Sequence, residues 1–371
     1  MANSDTSPSP RIALLIPSVA KTGIDTETAA GDHPLMDYYA LNQRLNGELI
    51  DYTVVENDPR WIVRKAFGLS KDVGMAVRAF LDRGKYDSIF SNGENVSIPL
   101  AALFSLVRKR PGHVLIGHHV STPKKKSLLK RLAKHMDAIF LYAETQQDYA
   151  VQTLGMPLAK LHLIPFHADH RFYRPMDVST DNMISSAGLE WRDYPTMLAA
   201  VEGMDINVRL AAASPWSKHR NETEDRTLPT NVDARRYNYR ELRDLYARSR
   251  FVVVPLYEND FQAGVTTILE AMSMGKAVIA TRTIGQKDVI EDGVNGIYVP
   301  PGEPAALRAA IERLMGDPEL TARLGAEARK TIEQRMTLDH WADRIARVVR
   351  ESAAAMKTNK AKSMVVRPEE K

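Results

Sequence analysis

The segment FQAGVTTILEAMSMGKAVIATR (261–282) sets Gly264, Val265, Thr266 and Thr267 in a row, with Glu270 three residues on. The order reads as loop, helix, turn and strand, so the glycine and the threonines fall at a helix start. There the first backbone N–H groups have no intrahelical carbonyl to meet, and the helix dipole is positive. Such an end seats phosphate. Gly264 admits close approach, the N–H groups of Gly264, Val265 and Thr266 point outward, and the hydroxyls of Thr266 and Thr267 add donors or cap the helix. Glu270, one turn further in, can accept from a ligand hydroxyl such as that of a ribose. The same letters also describe an ordinary β-branched helix start with a solvated glutamate, and pattern alone leaves both readings open.

Two other segments carry chemistry. IGHH (116–119) closes an apolar run, placing His118 and His119 at a strand end, where an imidazole either serves a substrate or bonds a loop. TPKKKSLLKRLAKHMD (122–137) spaces Lys126, Lys130 and Lys134 by four, beside a stripe of Leu128, Leu129, Leu132 and Met136. Such a helix either packs its stripe and solvates its basic face, or rests on anionic lipid. Nucleic acid is not expected, because no aromatics interleave the basic run and no recognition module is present.

The elements that must position these residues alternate. Strands are expected within RIALLIPSV (11–19), LIDYTVVEN (49–57), YDSIFSN (86–92), HVLIGHH (113–119), DAIFLYAE (137–144) and KLHLIPF (160–166). Helical patterns at 61–84 and 96–110 lie between them. HADHRFYRPMDVST (167–180) interrupts with charge, aromatics and proline, and a second series follows. Its strands are expected in NMISSAGL, NVRLAAAS, RFVVVPL, KAVIAT and GIYVP. Its helices are YRELRDLYARS, VTTILEAMSMG and PAALRAAIERLMGD. Strand alternating with helix predicts α/β architecture with parallel, doubly wound sheets, and two of these leave a cleft at the C-terminal strand ends. The expected division is a disordered tail at 1–10, domains over 11–170 and 171–336, a helix over 337–356 and a disordered tail at 357–371.

Composition sets limits on these readings. With 371 residues, 44% hydrophobic and 26% charged, the chain is globular and long enough for two cores. The absence of cysteine excludes disulfides and cysteine-ligated zinc. The opening MANSDTSPSP lacks the layout of a signal peptide, and no apolar run approaches the ~20 residues that span a bilayer, so a cytoplasmic protein is expected. A net charge of +4 is mild, and its clustering matters more than its size.

The stretch 240–325, RELRDLYARSRFVVVPLYENDFQAGVTTILEAMSMGKAVIATRTIGQKDVIEDGVNGIYVPPGEPAALRAAIERLMGDPELTARLG, resembles the C-terminal domain of the retaining glycosyltransferases of family 4, the glycosyl transferases group 1. That family writes E-G-F-G, three residues, E-A-M-A-x-G-x-P-V-I-A, and then E-V-I-x-D-G-x-N-G. LYAETQQDYAVQTLGMPLAKLHLIPFHADHRFYRP (141–175) is similar to its passage between domains. The resemblance implies the GT-B fold, two Rossmann-like domains facing a central cleft. It also implies transfer of a sugar from a nucleoside diphosphate sugar to an acceptor hydroxyl, without metal.

Residue by residue, the family's two donor-contacting glutamates, eight apart, fall on Gln262 and Glu270. Gln262 therefore departs from the pattern: an amide bonds a sugar hydroxyl but carries no charge. Of the family's basic pair after the first strand of this domain, Arg192 is one member and Leu189 stands where the other would be. Lys218 or Arg220, in ASPWSKHR, either supplies the missing charge or is a solvated surface cation. His119, with His118 as alternate, corresponds to the histidine that touches the donor sugar from the acceptor-side domain. The Asp-x-Asp of the other main glycosyltransferase fold is absent and no His/Asp cluster has ligand spacing, so no metal is expected. Some members use lipid-linked acceptors, which would bring 122–137 to the inner face of a membrane. The alternatives are a catalytically weak nucleotide-sugar binder, which Gln262 favours, and a GT-B epimerase.

Overall fold

The computed structural model describes residues 9–21, 23–211 and 228–365, with only the backbone of 359–365. Lys218 and Arg220 lie outside the described residues, as do the terminal segments 1–8 and 366–371. The chain divides into two compact units. The first takes in the initial strand, Met36–Ile164 and the last helix from Ala342; the second is Gly23–Leu35 with Pro165–Trp341.

The first unit holds a six-stranded parallel sheet of β1 (Ile12–Leu15), β2 (Glu48–Ile50), β3 (Ser88–Asn92), β4 (Gly112–Gly117), β5 (Ala138–Leu141) and β6 (Leu161–Leu163), in the order β2-β1-β3-β4-β5-β6. The second holds β7 (Met183–Ala187), β8 (Asn207–Ala211), β9 (Val232–Ala234), β10 (Phe251–Val254), β11 (Ala277–Thr281) and β12 (Ile297–Val299), in the order β12-β11-β10-β7-β8-β9. In the second sheet the winding reverses between β7 and β10. Loops leaving two strands there diverge to opposite sides, which opens a crevice at their C-terminal ends.

The second core shows why its strands are uniformly apolar. Val252 and Val254 of β10 join one cluster with Ile268, Leu269 and Met272, while Phe251 and Val253 join the other with Met197 and Leu210. Alternate side chains serve opposite layers, so a strand covered on both faces needs apolar residues throughout. Each fully buried valine contributes about 1.5–3 kcal/mol relative to exposure.

Several local expectations change. Only Glu48–Ile50 of 49–57 and its flank is strand, because Asp51 accepts the Val54 N–H at 2.9 Å and starts a helix over Tyr52–Glu56. The 61–84 pattern is two helices, Trp61–Leu69 and Lys71–Leu81, with Ser70 capping the second. The final helix runs Leu338–Val365, so 357–365 is helical and not a disordered tail. Residues 23–35, expected with the first half, pack on the second unit. Asp32 pairs with Arg240 at 3.1 Å, Gly31 O accepts from Arg243, and the Leu35 N–H donates to Asp169 at 2.8 Å. No described helix is long and apolar enough to cross a membrane.

Candidate active site

The crevice of the second unit is built by the loops after β7 and β10. After β7, Gly188 turns at φ 91°, and a Cβ there would lie 2.5 Å from the Arg192 Nη2. Trp191 follows at φ 57°, a left-handed conformation rare for an aromatic and characteristic of strained functional loops. It is pinned from both sides: its carbonyl accepts the Tyr257 N–H at 3.1 Å, and its ring meets Phe261 edge-on at 5.9 Å. Asp193 then caps the helix Tyr194–Val201 by accepting the Thr196 N–H at 3.0 Å.

This folding buries Arg192. Its Nε donates to Ala187 O at 2.8 Å, Nη1 to Glu190 O at 2.8 Å and Nη2 to Thr267 Oγ1 at 3.1 Å. Those bonds occupy three of the five N–H donors that a guanidinium carries. No carboxylate lies within 4.0 Å of it among the described residues, and burial pushes its pKa down. Its direct contacts are all neutral, with Glu190 and Glu270 acting on it only from beyond ion-pair distance, so an anion in contact would complete the site.

The loop after β10 delivers the second component. Gly264, at φ 73°, opens the helix Val265–Ser273. A Cβ there would meet Val254 Cγ1 at 2.8 Å and Arg192 Nη1 at 3.3 Å, so only glycine lets the helix start come this close to the guanidinium. Val265 N–H spans 3.4 Å to Gln262 O, while Thr266 and Thr267 occupy first-turn positions whose N–H groups have no intrahelical acceptor. Thr266 is exposed. The Thr267 hydroxyl instead faces inward, accepting from Arg192 and donating to Ala187 O at 3.3 Å; it braces the site and is not a free donor. Facing loops hold this one rigidly. A Cβ on Gly285 would sit 2.1 Å from Phe261 O, Gly285 N–H donates to Asn259 O at 3.0 Å, and the Ile284 N–H occupies the Glu258 carboxylate at 2.8 Å.

Glu270 is buried and accepts from Tyr246 Oη at 3.1 Å. Burial raises its pKa to about 7, against the opposing pull of the nearby tyrosine hydroxyls and Arg192. Beside it the buried Tyr173 hydroxyl also acts on the Glu270 carboxyl, and its own pKa is raised by burial and by that carboxylate. Gln262 is buried too, its Nε2 directed at Asp288 Oδ2 at 3.5 Å. Leu189 packs against the core and offers no charge. The structure thus brings Arg192, Gln262, Gly264, Val265, Thr266, Thr267 and Glu270 to one strand-end crevice. Sequence reasoning missed Asp288, although it stands where the resembling motif has the glutamate of E-V-I, and it missed Tyr173 and Tyr246.

One test follows from this packing. Gly188→Ala is expected to lower stability by roughly 1–3 kcal/mol, through the positive φ and the collision with Arg192. Urea unfolding measures it, and an unshifted midpoint would mean that Arg192 is not fixed as described.

His119 belongs to the first unit. Its N–H donates to Glu94 Oε1 at 2.8 Å and its carbonyl accepts from Thr122 Oγ1 at 3.1 Å. His118 N–H donates to the other oxygen of Glu94 at 3.0 Å, and its Nε2 lies 3.0 Å from Asn92 Oδ1. Glu94 is the organising group that the sequence did not reveal. Burial would raise its pKa, but the Lys125 ion pair at 2.8 Å prevails and holds it below the usual range. Lys125, read as part of the basic segment, is spent on this internal pair. Among the described residues no cluster of His, Asp and Glu could hold a metal ion.

Comparisons with known proteins bear on this geometry. Residues 192–317, which span the crevice loops from Arg192 onward, match the family described as Glycosyl transferases group 1. Alpha-D-kanosaminyltransferase of Streptomyces kanamyceticus is 21% identical over 320 residues, 78% of this chain and 81% of that protein. O-antigen chain mannosyltransferase C of Escherichia coli is 24% identical over 266 residues, 66% and 71% of the two chains. Among solved structures, sucrose-phosphate synthase of Thermosynechococcus elongatus superposes with TM-score 0.69 at 18% identity, covering 93% of this chain and all of that one. HepE of Anabaena, in complex with UDP-glucose, gives 0.67 at 17% identity over 91% and 99%. The two parallel six-stranded sheets are those of GT-B glycosyltransferases, as expected.

Proposed function

We propose that the chain is a retaining, metal-independent glycosyltransferase of family 4. It moves a sugar from a nucleoside diphosphate sugar to an acceptor hydroxyl, in glycolipid, polysaccharide or glycoconjugate synthesis. The observation that carries this reading is Arg192, a buried guanidinium without a carboxylate partner, set against a helix start with glycine at its cap. Two fixed positive features at one point suit a diphosphate, and neither improves the packing of the core. The names of the relatives, transferases of kanosamine and mannose, and the UDP-glucose bound to HepE point the same way.

In the proposed reaction the bond from the anomeric carbon to the diphosphate oxygen breaks, and its electron pair leaves with the phosphate. The acceptor oxygen bonds to that carbon, and the acceptor proton passes to the departing phosphate. Arg192 and the N–H groups at Gly264–Thr267 stabilise charge that grows on the leaving oxygens, the type of interaction that accelerates chemistry. Glu270 receives the ribose hydroxyls. Gln262 orients the sugar, with the charge missing from its position standing nearby on Asp288. His118 and His119, held by Glu94, are the proposed sugar or acceptor contacts of the first unit.

A thermal-shift panel of nucleoside diphosphate sugars tests the reading. At least one is expected to raise Tm, and its transfer is expected to persist in EDTA; a panel with no response removes the proposal. Gln262→Glu separates an adapted enzyme from a weak binder. It sets two carboxylates beside each other, so an adapted site should lose donor affinity about tenfold. A gain in turnover would mark a degenerate site.

A further inference from the structure

The crossovers β2→β3, β3→β4 and β4→β5 all step the same way across the first sheet. Right-handed connections therefore set their helices on one face. Trp61–Leu69 packs on Lys71–Leu81, that helix on Glu94–Phe104, and that one on Lys126–Leu132. The outermost helix buries Val63 but exposes Trp61 by 64%, Ile62 by 45% and Leu69 by 82%. Leu128, assigned to a buried stripe by spacing, is 50% exposed, while Leu129, Leu132 and Met136 are buried. These apolar side chains stand among exposed cations: Lys65, whose Nζ lies 5.7 Å from the Trp61 ring centroid, Lys71, Lys126, Lys130 and Arg131.

The acids of the same helices are already engaged. Asp72 accepts from Tyr52 Oη at 2.6 Å, and Glu94 is buried against Lys125. Large apolar groups at the tip of a basic, nearly acid-free face match the polarity profile of a bilayer interface. There tryptophan sits at headgroup level and lysine reaches phosphate. We propose that this helical face of the first unit docks on a membrane surface carrying anionic lipid. Trp61, Ile62 and Leu69 enter the headgroup boundary, and Lys126, Lys130 and Arg131 bind lipid phosphates. The basic segment thus supplies charge, while a helix more than fifty residues upstream supplies the apolar anchor. All these residues lie outside the unit that holds Arg192 and Glu270, so the docking is tested separately from sugar transfer.

Flotation of the full chain with phosphatidylcholine vesicles, with and without roughly 30 mol% phosphatidylglycerol, provides the test. The anionic vesicles are expected to bind at least about tenfold more protein. Lys126→Glu/Lys130→Glu/Arg131→Glu should cut that binding by about a hundredfold or more. Trp61→Ser/Ile62→Ser/Leu69→Ser should abolish it with Tm unchanged, because the three side chains are exposed. Equal binding to both vesicle types, full binding by the serine variant, or no binding by the wild type would each overturn the proposal. So would light scattering that shows a wild-type dimer which the serine variant makes monomeric, since the face would then be covered by a second copy of the chain.

Discussion

Arg192→Lys is expected to lower kcat/KM for sugar transfer by about 10²–10³-fold, the range for removing one fixed donor from a charge-stabilising site. Lysine keeps the charge but not the planar fork. In the native site the fork serves two ends at once: Ala187 O, Glu190 O and Thr267 hold one part of it, and the remaining N–H groups are left for a ligand. An ammonium placed among those three acceptors has no donor left to project. The loss should also track phosphate. Calorimetric titration of the wild type should show a nucleoside diphosphate binding far more tightly than its nucleoside, and the variant should erase most of that ratio. If the ratio survives, the diphosphate is held elsewhere and Arg192 is not its partner.

Glu270→Gln is expected to weaken donor binding while stabilising the protein, with the stability gain confined to higher pH. Burial raises the folded-state pKa from 4.5 to about 7, so the folded protein prefers the neutral acid. Below pH 4.5 both states are protonated and burial of the carboxyl costs little. As pH rises from 4.5 through 7 the unfolded chain ionises first, and stability drains by up to roughly 3 kcal/mol. Glutamine cannot ionise and keeps an oxygen for Tyr246, so its advantage over the wild type should widen between pH 5 and pH 8. Each kcal/mol corresponds to roughly 2–4 °C in Tm for a unit of this size. Parallel Tm curves across that range would refute the buried-carboxyl account. Donor affinity of the wild type should rise with pH through about 7, because ribose hydroxyls donate to the ionised form. In the variant, that pH dependence should vanish and affinity should fall about tenfold, a charged acceptor having become a neutral one.

Both predictions fall on residues already marked in the sequence, and the reason is local. A glycine, β-branched residues and a glutamate in one turn define a helix start wherever they occur, and Val265–Ser273 begins where that pattern puts it. The fully buried strands were legible for the same reason, since β10 reads as four apolar residues in succession. What the letters withheld is tertiary. Nothing in SNGEN marks Glu94 as the group that gathers the N–H of His118, the N–H of His119 and the Lys125 ammonium, because its partners lie 24 to 31 residues away. The letters offer the Thr267 hydroxyl as a ligand donor or a helix cap, yet it is engaged by Arg192, 75 residues distant. Leu128 fits a helical stripe by spacing, but Leu129 and Leu132 take the buried face, and Leu128, rotated about 100° from Leu129, is left half exposed. In LIDYTVVEN the β-branched run favours strand, and a single capping bond from Asp51 overrides it.

The way the chain divides between its units sets an order of assembly. The second unit contains Gly23–Leu35, and the first is finished by the helix that begins beyond Trp341. That helix buries Ile345, Ala346, Val349 and Ala353, and Ser352 fits so closely over Gly112 that a Cβ there would lie 2.1 Å from its hydroxyl. During synthesis the first sheet is therefore made early but covered late. The second unit has all of its parts once Trp341 has emerged, whereas the first must hold an apolar layer exposed until its last helix appears. The partition thus lets the second unit complete its contacts before the first, the opposite of the usual N-terminal-first order.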